Sequence, residues 1–96
     1  MTELRFYAAA RQEFEDAVRW YATRSTTAAE RFESAVTSEI EAICREPQLF
    51  PKWDELHRFS LVSGIPYYVA YRSLSNRVEI VAIFHASRDA SIWTDR

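Results

Sequence analysis

Val78-Glu79-Ile80-Val81-Ala82-Ile83-Phe84 decides how this chain folds. Six of the seven residues are apolar and four are β-branched, so the run has strand character on both faces. A strand without a polar face belongs in the middle of a sheet. The residues that follow are His85, Arg88, Trp93 and Arg96. An imidazole, a guanidinium and an indole are thus delivered to one end of a sheet. Such groups bind phosphate, stack on bases or move protons.

Upstream of this strand the period is also two. Arg58-Phe59-Ser60-Leu61-Val62 reads as one strand, and Gly64, the only glycine, marks the turn after it. Pro66 opens Tyr67-Tyr68-Val69-Ala70-Tyr71-Arg72, a position where proline costs no essential ladder bond. Ser73 to Arg77 reads as a hairpin loop. Earlier still the period is helical. Ala10, Phe14, Ala17, Val18 and Tyr21 form one stripe, with Gln12, Glu13, Glu15, Asp16 and Arg19 mostly opposite. Ser25-Thr26-Thr27 interrupts it, and Thr27 with Glu30 reads as a capping box for a second helix. That helix carries Ala29, Phe32, Val36, Ile40 and Ile43 on one face and ends at Glu46-Pro47. Residues 47–56, with two prolines and several large apolar side chains, read as a loop pinned to the core. Leu4-Arg5-Phe6-Tyr7 reads as a short first strand. The order is βααβββ, an α+β fold with a helical hairpin packed on one face of a small antiparallel sheet. Ninety-six residues make a single domain over 1–96.

Nearly half of the residues are apolar, enough for a modest core without staples. No run is long enough to span a membrane, and no basic-then-apolar leader opens the chain, so a cytoplasmic protein is expected. Cys44 is alone and lies in the second helix's pattern, where it reads as a small half-buried core residue. The net charge of −2 argues against a nonspecific nucleic-acid binder, but the distribution is uneven. Residues 1–56 carry seven Lys/Arg against eleven Asp/Glu, and residues 57–96 carry five Arg, no Lys and three acids. Arginine's planar fork suits phosphate and carboxylate, so the second half is the expected binding side.

His85 is the candidate general acid/base, with Arg58, Arg72 and Arg88 as candidate cations beside it. The hairpin puts Arg58 and Arg72 at one end of the sheet, and antiparallel pairing puts His85 near the start of strand 67–72. The spacing does not bring all four together. Tyr67 and Tyr71 share one face and Tyr68 takes the other; an open tyrosine near Arg suits base stacking. Trp93 reads as a cap folded back on the core, or else as a partner's anchor. His57, just before a strand, reads as solvated. No metal-ligand spacing, phosphate loop or triad order stands out, so neither metal nor cofactor is expected.

The ordered set of these features resembles the RelE/ParE superfamily of bacterial type II toxins. It comprises Ala10-Arg11-Gln12-Glu13-Phe14-Glu15-Asp16-Ala17-Val18-Arg19-Trp20-Tyr21, the second helix, the Pro47…Phe50-Pro51 hook, Arg58, Pro66-Tyr67, Tyr71 and the ending His85-x-x-Arg88…Trp93-x-x-Arg96. The resemblance spans nearly the whole chain and implies the same βααβββ fold. It implies a toxin neutralised by a cognate antitoxin whose C-terminal segment wraps it, as a homodimer or as a heterotetramer with the antitoxin. ParE-like members poison DNA gyrase and are not enzymes; RelE-like members cleave messenger RNA on the ribosome. The helical Trp20-Tyr21 and the His85-x-x-Arg88…Trp93 ending look closer to the ParE-like side. The RelE-like set usually includes several lysines on the sheet, and this chain has none beyond Lys52. Three expectations follow: a gyrase-directed toxin, with a ribosome-dependent endoribonuclease and a degenerate antitoxin-binding member as alternatives. Arg58, Tyr71, Arg72, His85, Arg88 and Trp93 are the expected target- or antitoxin-binding residues. The three arginines and the histidine among them, Arg58, Arg72, Arg88 and His85, are the candidates for catalysis.

Overall fold

The computed structural model describes residues 2–96, with Met1 outside them. The elements are β1 (Glu3–Phe6), α1 (Ala8–Ala22), α2 (Thr26–Arg45), β2 (Arg58–Leu61), β3 (Tyr67–Ser73), β4 (Arg77–His85) and a short 3-10 turn at Ala90–Ile92. The sheet order is β1-β4-β3-β2, so the apolar run is central as expected. β2, β3 and β4 form an antiparallel meander. β1 pairs parallel with β4, Glu3 opposite Arg77 through Phe6 opposite Ile80. The sheet is therefore mixed at one edge. The helical hairpin crosses from β1 at one edge to β2 at the other, and the β2–β3–β4 meander returns the chain to the side of β1.

The helices form where the stripe predicts. Ala29, Phe32, Val36, Ile40 and Ile43 of α2 are all buried, as are Ala10 and Ala17 of α1. Burying each large aliphatic or aromatic side chain of this stripe contributes about 1.5–3 kcal/mol. The start of α2 differs from expectation. Ser25, extended at φ −167° and ψ 127°, is the cap, and its Oγ accepts the Ala28 N–H at 3.2 Å. Thr26 and Thr27 already lie in the helix, so Thr27 is not placed to close a capping box with Glu30. The helix ends at Arg45, and Glu46, which has left the helical conformation, precedes Pro47. Gly64 sits at φ +84° in the β2–β3 turn, a conformation that other residues adopt only with strain.

A bulge divides β4. Ala82 faces Ala70 but Ile80 faces Tyr71, leaving Val81 as an extra residue. The bulge reverses which side chains face the helices. Val78 and Ile80 before it, and Ile83 after it, join the core under α1 and α2. Val81, Ala82 and Phe84 lie in a second core with Ala70 and Trp93. Strict alternation would have put Phe84 beside Ile80 and turned His85 to the far side. Instead His85 stands on the helix side against Tyr67, ring centroids 5.2 Å apart.

The segment after β4 folds back to cover the far face. Trp93 is fully buried, within 5.5 Å of the Phe84, Trp53 and His57 rings, so it caps the core. His57 is 1 % exposed, which corrects its reading as solvated. Its burial follows from a turn: Asp54 Oδ1 accepts the N–H of Leu56 and of His57, and the Asp54 carboxylate also meets His57 Nδ1 at 2.9 Å. Burial works against the Asp54 charge, but the His57 bond and the two N–H donors outweigh it and hold its carboxyl below the usual range. Cys44 is half-buried, and burial pushes its thiol up.

Candidate functional site

A cleft of about 530 Å³ opens where α1 passes the end of β4. Glu13, Asp16, Ala17, Trp20 and Tyr21 line one wall, spaced i, i+3, i+4, i+7 and i+8 along α1. Ile83, Phe84 and His85 of β4, with Tyr67, form its floor, and Ser87, Arg88 and Ile92 form the opposite wall. Trp20 is 51 % exposed and Ile92 40 %, large apolar surfaces on either side of the opening. The Arg24 guanidinium lies 3.6 Å from the Trp20 ring centroid, a cation–π contact that holds the indole in place.

The structure brings two of the candidates together, His85 and Arg88. The Ser87 backbone N–H donates to His85 Nδ1 at 3.0 Å, with Ser87 Oγ at 2.8 Å from the same nitrogen. Nδ1 is therefore an acceptor, and in the neutral ring the proton sits on Nε2. Arg88 is exposed, and its side chain makes no ion pair or hydrogen bond among the described residues. It faces Tyr67, whose hydroxyl is pushed up chiefly by burial, next by Tyr21, against a smaller opposing pull from Arg88.

The other candidates lie elsewhere. Tyr67 pairs with His85, whereas Arg72 pairs with Glu79 and Arg58 with Tyr71. Five residues along β3 separate Tyr67 from Arg72, about 17 Å, too far to share one phosphate with His85. Arg58 holds the Pro47–Pro51 hook: its guanidinium donates to the Phe50 carbonyl and, at 3.0 Å, to Gln48 Oε1. Tyr71 is fully buried, and its hydroxyl donates to the Pro47 carbonyl at 2.6 Å. Burial pushes this hydroxyl up to about 12. Arg72 donates to the Tyr7 hydroxyl at 3.4 Å, and that bond raises its pKa further. Arg58, Tyr71 and Trp93 thus spend their polar or aromatic groups on the fold.

Sequence reasoning missed Glu13, Asp16, Trp20 and Ile92 as cleft residues. Glu13 was assigned to the solvent side of α1, yet its Oε1 accepts the Ile83 N–H at 3.0 Å. The spacing of Glu13, Asp16, Ala17, Trp20 and Tyr21 was the available signal, a second stripe turned partly from the apolar one.

The fold is a βααβββ domain whose helix-walled cleft carries mixed charge and brings His85 to Arg88 but not to Arg58 or Arg72. Residues 4–90 match the family described as ParE toxin of type II toxin-antitoxin system, parDE, and the chain belongs to that family. A solved structure described as a chromosomal ParDE TA system from P. aeruginosa is similar in fold. Its TM-score is 0.65 at 16 % identity, covering 91 % of this chain and 98 % of that one. No curated protein sequence matches the chain. No helix among the described residues is long and apolar enough to cross a membrane.

Proposed function

We propose that this toxin inhibits growth in the cytoplasm by engaging DNA gyrase through protein contacts, without cleaving a bond itself, and that a cognate antitoxin neutralises it. The observation that supports a nonenzymatic reading is the dispersal of the chemistry. Histidine-based RNA cleavage needs a free base or acid with a cation beside one phosphate. His85 has its Nδ1 lone pair engaged, and Arg58 and Arg72 belong to the other end of the sheet. Arg88 alone among the candidate arginines lines the cleft with His85. In this reading His85 and Arg88 are contact residues at the cleft mouth, while Arg58, Arg72, Tyr71 and Trp93 hold the surface in shape.

Induced expression in cells tests the reading. Growth should stop, gyrase-linked DNA breaks should accumulate, and co-expression of the neighbouring small gene should restore growth. Arg88→Ala should weaken the arrest with the fold intact. Cleavage of messenger RNA in a translation extract, lost in His85→Ala, would replace this proposal with the endoribonuclease. Unimpaired growth would leave only a degenerate antitoxin-binding member.

A further inference from the structure

Two carboxylates line the cleft beside α1, and both are already matched. Glu13 holds Arg96 through both oxygens, at 3.1 and 3.0 Å, and its Oε1 also accepts the Ile83 N–H. Asp16 Oδ1 accepts from Arg19 at 3.0 Å and from Gln12 at 2.8 Å. Arg88 is the lining cation left without a carboxylate against it among the described residues. Hydrogen-bond donors gather on its side. Ser87 occupies His85 Nδ1, so the other ring nitrogen presents its N–H. The Tyr67 hydroxyl is close enough to feel both the Tyr21 hydroxyl and the Arg88 charge. The walls are aromatic and apolar. Trp20 stays 51 % exposed even with the Arg24 guanidinium against its ring, and Ile92 on the other wall is 40 % exposed. The volume, about 530 Å³, is that of a small-molecule site.

We propose that this cleft binds a small planar aromatic acid, its single carboxylate on Arg88 and the His85 Nε2–H, its ring against Trp20 and Ile92. Three features select this ligand. One unmatched guanidinium calls for one negative charge, and a carboxylate accepts two parallel N–H groups from it. The exposed indole and Ile92 let a flat apolar body leave water. A cation would find both carboxylates taken by Arg96 and Arg19, and would meet Arg88 instead. A doubly charged phosphate would bring one negative charge more than Arg88 can match. This site goes beyond the growth-inhibiting reading and does not depend on it.

The test is titration of the isotope-labelled full chain with β-naphthoate at neutral pH, followed by NMR. Binding should saturate with a Kd of about 0.1–1 mM, as expected for a ligand of this size. Shifts should cluster at the Trp20 indole N–H, Tyr67, His85, Arg88 and Ile92, while the Trp53 and Trp93 indoles stay still. On unaltered protein, the neutral β-naphthalenemethanol should bind about tenfold more weakly, and so should acetate, which lacks the ring. The naphthyl phosphate should bind no more tightly than the carboxylate. Arg88→Gln should cost about tenfold in affinity with the amide spectrum otherwise unchanged. The proposal is overturned if naphthoate gives no saturable shifts, or if they map to Trp53 and the far face of the sheet. It is equally overturned if the neutral analogue binds as tightly, if the phosphate binds more tightly, or if Arg88→Gln leaves affinity unchanged. Growth arrest is read separately, so failure here leaves the toxin reading standing.

Discussion

Arg96 grips Glu13 with both guanidinium nitrogens, and the two side chains together cap the bare stretch of β4 beyond β1. The pair joins the segment after β4 to α1 around the sheet edge, linking residues 83 positions apart. Each side chain is only about a fifth exposed, 21 % for Arg96 and 23 % for Glu13. The attraction is therefore less screened than in a surface pair. Each side chain also satisfies a backbone group that no strand reaches.

Glu13→Gln and Arg96→Ala should each lower stability by about 1–3 kcal/mol, the usual cost of leaving a half-buried charged partner unmatched. Exchanging the two residues, Glu13→Arg with Arg96→Glu, should not restore it. An arginine at 13 cannot accept the Ile83 N–H, and a glutamate at 96 cannot donate to the Val81 carbonyl. Urea denaturation of the singles and the exchange checks this; full recovery in the exchange would show that charge alone matters.

Trp93→Ala should cost about 3–5 kcal/mol, as for other buried large-to-small aromatic changes. Trp93→Phe should cost less, since the buried indole Nε1 has no hydrogen-bond partner among the described residues. Thermal melts should rank wild type first, Phe next and Ala last. The Ala variant should also expose the Phe84 and Trp53 rings to a fluorescent apolar dye.

Tyr71 gives the protein an alkaline limit. Its folded pKa is raised to about 12, above the usual tyrosine value of about 10. The stabilisation is fully present below about pH 10 and is lost as pH rises through about 12. The two-unit shift corresponds to roughly 2–3 kcal/mol. Tyr71→Phe should flatten that limb of the stability–pH curve. At neutral pH it should cost about 1 kcal/mol for the lost bond to Pro47.

Asp54 gives an acidic limit of opposite sign. Its folded pKa is depressed by the His57 bond and the turn N–H groups, which outweigh the burial that acts first against it. Its contribution is present above the unfolded value of about 4 and is lost as pH falls through the lower folded value. Asp54→Ala should remove this part of the acid transition. It should also free the residue 54–57 turn, seen as faster amide exchange at Leu56 and His57.

Gly64→Ala should destabilise by about 1–2 kcal/mol through backbone strain alone. A Cβ there would meet nothing within 4 Å, so the φ of +84° carries the whole effect. A d-alanine introduced by chemical synthesis should restore stability, which a steric clash would not allow.

The helices and the central strand were legible because their causes are local. The α2 stripe of Ala29, Phe32, Val36, Ile40 and Ile43 is buried at every position the spacing named. Val78 to Phe84 had no polar face to give water, so it could only be central. The Ser25 cap was misjudged by two residues, because Ser, Thr and Thr all suit the role and only backbone geometry chooses. The candidate cations and histidine were named but not grouped. Pairing registers decided that His85 stands with Arg88, while Arg58 and Arg72 stand with the Pro47 hook and Tyr7.

Period and composition by themselves determined the element order, the apolar faces and the basic character of the second half. Those follow from each residue's affinity for water and from its neighbours within a few positions. The parallel docking of β1, the bulge at Val81, the burial of His57 and the reach of Arg96 to Glu13 belong to the tertiary structure alone. Each depends on groups brought together across long stretches of chain. In each, a backbone N–H, a carbonyl or a charge takes the partner that packing leaves within reach.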